Sequence, residues 1–129
     1  MRTQILILAV GFSLFLVGCS GTTTQAPTAT TAPVTITLIT DPMPAEVGDV
    51  ELVFNVVDDN GKPVSGADFD VFADHTDMSG MTMHGKASDQ GNGNYSINTN
   101  FSMSGKWKLS LQVHSASLDF KQDIDLLIK

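Results

Sequence analysis

Residues 106–113, Lys-Trp-Lys-Leu-Ser-Leu-Gln-Val, alternate without a break. Trp107, Leu109, Leu111 and Val113 fall on one side, and Lys106, Lys108, Ser110 and Gln112 on the other. Successive side chains leave a pleated strand on opposite faces, so a period of two marks a half-buried β-strand. The only tryptophan of the chain sits on its apolar face and is expected at the centre of a core.

The same period recurs outward from this stretch. Residues 95–102 (YSINTNFS) turn Tyr95, Ile97, Thr99 and Phe101 inward. They follow a 90–94 loop (QGNGN) of residues that tolerate positive φ. Residues 67–73 (ADFDVFA) place Ala67, Phe69, Val71 and Ala73 against Asp68, Asp70 and Phe72. Residues 50–57 (VELVFNVV) form another strand, closed by the turn residues Asp58-Asp59-Asn60-Gly61-Lys62. Residues 34–40 (VTITLIT) alternate apolar groups with threonine until Asp41-Pro42-Met43-Pro44 breaks the pattern. Residues 81–88 supply a further strand, and residues 118–128 (LDFKQDIDLLI) close the series. Short strands spaced by roughly ten residues, with no convincing helix, predict an all-β antiparallel sandwich of about seven strands over residues 34–129. Its two sheets should pack about 10 Å apart.

What precedes this domain reads as an address and a tether. Arg2 is followed by an apolar run over residues 5–18 that ends in Leu16-Val17-Gly18-Cys19. About 14 apolar residues are too few to cross a bilayer, which takes about 20, so residues 1–18 read as a signal peptide. Leu-Val-Gly-Cys resembles the bacterial lipobox, which implies lipidation of Cys19 and a membrane anchor outside the cytoplasm. Residues 19–33 then form a Thr/Pro-rich stretch without large apolar groups, read as a flexible spacer. One cysteine excludes an internal disulfide framework, and its lipidation leaves no thiol for metal or redox chemistry. The chain carries 14 Asp and Glu against 7 Lys and Arg, a net charge of −7. Such a surface repels phosphate and attracts cations, so nucleic acid is not an expected partner.

One segment is chemically unusual. His75-Thr-Asp77-Met78-Ser-Gly-Met81-Thr-Met83-His84-Gly85 holds three methionines and two histidines, and Met103 stands just before residues 104–107. Thioether sulfur is a soft neutral donor suited to Cu(I), and imidazole suits Cu(I) and Cu(II). Zinc would ask for three or four His, Cys or carboxylate ligands, and calcium for a dense Asp/Asn/Gly loop. The expected metal ligands are therefore Met78, Met81, Met83, His84 and Met103, with copper as the ion. Packing is the competing reading for Met81, Met83 and Met103, since methionine fills irregular gaps in cores, whereas Met78 beside Ser79-Gly80 in a polar loop is harder to explain that way. Met81 and Met83 share a strand face, whereas His84 should point to the other unless the strand bulges there. His75 reads as a loop histidine, with a ligand role as the alternative, and His114 as a turn histidine. No nucleophile–base constellation stands out, so no enzymatic activity is expected.

The residues Gly61-Lys62-Pro63-Val64-Ser65-Gly66-Ala67, the segment 78–83, Gly93-Asn94-Tyr95 and Phe101-Ser102-Met103-Ser104-Gly105-Lys106-Trp107 together resemble the YtkA-like domain, which is related to the FixH group. The resemblance spans roughly residues 34–129. It implies an immunoglobulin-like β-sandwich outside the cytoplasm, often lipid-anchored, and FixH-like members are linked to copper supply for respiratory oxidases. The methionine-rich motif then falls on Met78, Met81 and Met83, and the second motif on Met103 and Trp107. FixH-like proteins are held by a transmembrane helix, from which the lipobox here departs. The expectation is a lipid-anchored domain that buffers copper or passes it to a copper-accepting protein. The rival class is a metal-free interaction or assembly module, because such sandwiches commonly bind proteins.

Overall fold

Alternation along the chain becomes pairing between strands. The computed structural model describes residues 33–129. It contains β1 (Val34–Asp41), β2 (Gly48–Asp58), β3 (Asp68–His75), β4 (Thr82–Gly91), β5 (Asn94–Phe101), β6 (Gly105–His114) and β7 (Asp119–Ile128). Every pairing is antiparallel, in the order β1-β2-β5-β4-β3-β6-β7. The all-β antiparallel architecture expected from the period-two stretches is the one found. The signal peptide, the lipidation of Cys19 and the tether up to residue 32 lie outside the described residues.

β4 belongs to both sheets. Its residues Thr82 to Ala87 pair with β3, and Ser88 to Gly91 pair with β5, with a register shift between Asp89 and Gly91. From Ser88 back toward Thr82, β4 and β5 no longer pair, and a cleft opens between them. The bulge expected as the alternative at Met83–His84 is therefore at Asp89–Gly91 instead, and alternation through Met83 and His84 is undisturbed.

The core has an aromatic cluster toward each end. Phe69 packs against Phe54 and Tyr95, with ring centroids 4.8 and 5.2 Å apart. Trp107 packs against Phe101 at 5.1 Å and against His75 at 5.1 Å. Leu52, Val71, Leu109 and Leu111 fill the space between. Trp107 is buried as expected, yet it is not central: it is the third residue of β6 and pairs with the last residue of β3. It plugs one end of the sandwich.

The register fixes what shares each rim. The β1–β2, β3–β4 and β5–β6 connections and the end of β7 meet at one rim. There, Val47 N–H donates to Lys129 C=O at 3.1 Å and Lys129 N–H donates to Ala45 C=O at 3.0 Å. The other rim holds the start of β1 and the remaining connections. The loop expected at 90–94 is shorter than its composition suggests. β4 runs to Gly91 and β5 begins at Asn94, leaving a two-residue turn at Asn92 (φ 53°) and Gly93 (φ 74°). Two successive positive φ values are those of a type I′ hairpin, whose twist matches the strands it joins.

Candidate functional site

All five methionines among the described residues lie toward one end of the sandwich. Met43 is in the β1–β2 connection, Met78 and Met81 in the β3–β4 turn, Met83 at the start of β4 and Met103 in the β5–β6 turn. The turn at residues 76–81 forms because His75 N–H donates to Met81 C=O at 3.1 Å and Met78 N–H to His75 C=O at 3.4 Å. Gly80, at φ 91°, supplies the left-handed residue that lets the chain reverse.

Met81 and Met83 are half-buried on the same side of the chain and pack against the core. With Ser102 and the buried Trp107 they line a cleft of about 210 Å³. Met83 also lines an adjoining cleft of about 160 Å³ between β4 and β5, with Leu52, Ile97 and Thr99. Thr99 Oγ1 donates to its sulfur at 3.5 Å. Met103 is half-buried next to Ser102, and its carbonyl accepts the Trp107 Nε1–H bond at 3.2 Å. Met78 is 44% exposed at the tip of the β3–β4 turn. The four sulfur residues are thus neither all in the core nor all on the surface.

His84 does not line the cleft of Met81, Met83 and Trp107, although it borders the adjoining one between β4 and β5. It alternates with Met83 and lies exposed on the outer face, where its ring stacks on Phe72 at 4.3 Å. Its Nε2 lies 3.4 Å from Asp70 Oδ1. His114, at the end of β6, is also exposed, 4.0 Å from Asp119. Met43 is 77% exposed and lines the groove between the edge strands β1 and β7.

What sequence reasoning missed is the burial of His75. The residue is not a loop histidine but the buried last residue of β3, only 8% exposed. Its Nδ1 accepts the Asp77 N–H at 3.2 Å, and its Nε2 lies 3.2 Å from Ser104 C=O. An acceptor at Nδ1 and a carbonyl at Nε2 define the neutral tautomer with the proton on Nε2. Both ring nitrogens are thereby engaged. Gly105, at φ 127°, sits against this ring: a Cβ there would lie 2.6 Å from Nε2. The signal available in the sequence was the pair His75 and Gly105, but nothing local shows that they meet.

Charge around the rim is mostly negative. Asp41, Glu46, Asp49 and Asp77 are exposed there, with Asp74 half-buried, against Lys106 and Lys129. Such a ring concentrates cations without needing to bind them directly. Farther down the outer face, Lys86 hydrogen-bonds Asp68 at 2.9 Å and holds its carboxyl below the usual range. Lys108 does the same for Asp123 at 2.8 Å. Both pairs are solvated and contribute little to stability. Among the described residues, no three His, Cys, Asp or Glu side chains come together as a metal-ligand group. The donors that line the cleft are the thioethers of Met81 and Met83, with a hydroxyl and an indole beside them.

The family model described as YtkA-like matches residues 28–112. β7 lies beyond that span, although it pairs with β6 along ten residues. Among curated proteins none matches the chain. Solved chains do, among them one from the crystal structure of MtrC from Shewanella baltica OS185, with a TM-score of 0.47 and 14% identity. The match covers 75% of this chain and 22% of that one, so this chain spans less than a quarter of that protein.

Proposed function

The chain belongs to the YtkA-like family, and from the sulfur-lined cleft of its β domain we propose that it binds copper as Cu(I), for buffering or delivery outside the cytoplasm. The proposed donors are Met78, Met81, Met83 and Met103. The observation that carries this reading is the shared cleft of Met81 and Met83 beside Trp107, with Met103 and Met78 on the two adjoining turns. Neutral thioethers match a soft monovalent ion and hold it less firmly than thiolates, which suits release to an acceptor. Asp74 and Asp77 supply attraction from outside the donor set. His84 stays out of it, because its ring lies on the other face of β4. The domain holds and transfers the ion and catalyses no reaction of its own. Anchoring through a lipidated Cys19 would keep it at a membrane face.

The test is titration of the full chain with Cu(I) against a competing chelator, read by quenching of Trp107. The parent is expected to bind one ion and quench. A variant with Met78, Met81, Met83 and Met103 all changed to alanine is expected to lose both responses while keeping its fold. Equal binding by parent and variant sinks the copper reading. Met43→Ala serves as control and should bind as the parent does, since Met43 lines the β1–β7 groove. Replacing Cys19 by serine should move the protein from the membrane fraction to the soluble one.

One observation favours a second reading, an interaction module. Ile39, Val47 and Leu127 are at least half exposed, and with Met43 they lie toward the end of the sandwich where β1 and β7 finish. Large exposed apolar groups suit a protein partner. If the four-alanine variant binds Cu(I) like the parent, this is the reading left standing.

A further inference from the structure

The proposed donors come from two turns that are far apart in sequence. Met78 and Met81 belong to the β3–β4 turn, and Met103 to the β5–β6 turn. Turns of this kind are the mobile parts of a sandwich unless something ties them together. One side chain touches both. His75 accepts the Asp77 N–H of the first turn through Nδ1 and reaches Ser104 C=O of the second through Nε2, each at 3.2 Å.

We infer that His75 is the positioning residue of the thioether site: its imidazole ties the turn carrying Met78 and Met81 to the turn carrying Met103. The inference rests on the copper reading and goes beyond it by assigning a role to a residue outside the donor set. His75 does not touch the ion, because both of its nitrogens are occupied.

Its surroundings hold it in place. Trp107 meets its ring edge-to-face at 5.1 Å, and the Trp107 Nε1–H in turn binds Met103 C=O at 3.2 Å. Thr76 adds a parallel tie, its N–H and its hydroxyl both donating to Lys106 C=O at 3.0 Å. A Cβ at position 105 would press on the imidazole, so glycine there leaves the ring room against the β5–β6 turn. Outer groups that orient metal ligands are worth about 10–100-fold in affinity, and His75 is expected to fall in that range.

The experiment compares His75→Phe with His75→Asn in the full chain, each with and without Met103→Ala. His75→Phe keeps ring volume and the contact with Trp107 but loses both hydrogen bonds. Asparagine restores an acceptor toward Asp77. The readouts are far-UV circular dichroism, Cu(I) affinity under chelator competition, and the sulfur coordination number from copper X-ray absorption. The expected result is a folded His75→Phe protein with Cu(I) affinity reduced about 10–100-fold and fewer sulfur neighbours. His75→Asn should recover part of the loss. Met103→Ala should weaken the parent but add little on top of His75→Phe, because the sulfur has already been released from the site. A folded His75→Phe protein with parental affinity, or equal factors for Met103→Ala in both backgrounds, overturns the positioning role alone. If His75→Phe does not fold, the comparison of His75→Asn with the parent decides in the same way. A parent that binds no Cu(I) overturns the copper reading itself and this inference with it.

Discussion

Single side chains at the rim opposite the methionines show how tightly the hairpins are fastened. Tyr95 is fully buried, donates its hydroxyl to Val64 C=O at 3.0 Å and accepts the Ala67 N–H at 3.1 Å. Tyr95→Phe would leave a carbonyl and an amide unpaired, and should lower unfolding free energy by about 1–3 kcal/mol in urea melts. Asp89 works nearby: its carboxylate accepts the backbone N–H groups of Gly66 and Gly91, which hold its pKa below the usual carboxylate value. A carboxyl depressed in the folded state adds stability above the unfolded value of about 3.9, and loses it as pH falls through the folded one. The melting temperature of the parent should therefore drop through the acid range more steeply than that of Asp89→Asn. Identical slopes would remove Asp89 from the account.

At the scale of strands and turns, the hairpin joining β4 to β5 has almost no tolerance. Gly93 has φ 74°, and a Cβ there would lie 2.5 Å from Val56 C=O. Its own carbonyl accepts the Val56 N–H at 2.8 Å. Gly93→Ala should cost at least about 1–2 kcal/mol for the left-handed backbone alone, and more for the contact, as read by a shifted denaturation midpoint. On β4 itself, strict alternation separates two neighbours with different fates. His84→Ala should leave Cu(I) affinity unchanged and alter stability by no more than about 0.5 kcal/mol, whereas Met83→Ala, on the cleft side, should weaken Cu(I) binding. A drop in affinity for His84→Ala would mean that the ring swings around the strand. The strands were legible because period-two alternation is local: Trp107, Leu109, Leu111 and Val113 are all buried as their spacing demands. The 90–94 turn read as a longer loop because its composition announces positive φ but not strand length. The burial of His75 could not be read at all. A polar ring is stable inside only when its partners are supplied, and those partners, Ser104 C=O above all, come from 29 residues away. The four sulfurs were legible as a group in the sequence. That β4 leaves β5 and opens a cleft beside them was not, since sheet switching depends on pairings between distant segments.

The direction of the whole molecule follows from its topology. β1 begins at the rim formed by the Asp58–Lys62 turn and the Asn92-Gly93 hairpin, so the chain before Val34 arrives at the end opposite the methionines. Strands of eight to eleven residues separate the two rims, which at about 3.3 Å per residue is roughly 30 Å. On the proposal that Cys19 is the anchor, the methionine rim is expected to face away from the lipid, where an acceptor can reach it. Two forces on that rim oppose each other. Met43, Val47, Met78 and Leu127 are exposed and would gain from burial in a bilayer. Asp41, Glu46, Asp49 and Asp77 are exposed beside them and would be repelled by anionic headgroups. The acidic groups should prevail on an anionic membrane. The full chain, anchored in vesicles whose headgroups carry a nitroxide quencher, would be labelled with a fluorophore at Asn60→Cys or at Ser79→Cys. Quenching is expected to be stronger for the label at position 60 than for the label at position 79, and the difference should narrow when anionic lipid is replaced by neutral lipid. Stronger quenching at position 79 on anionic vesicles would press the sulfur-bearing end into the membrane and leave no route for handing over the ion to a soluble acceptor.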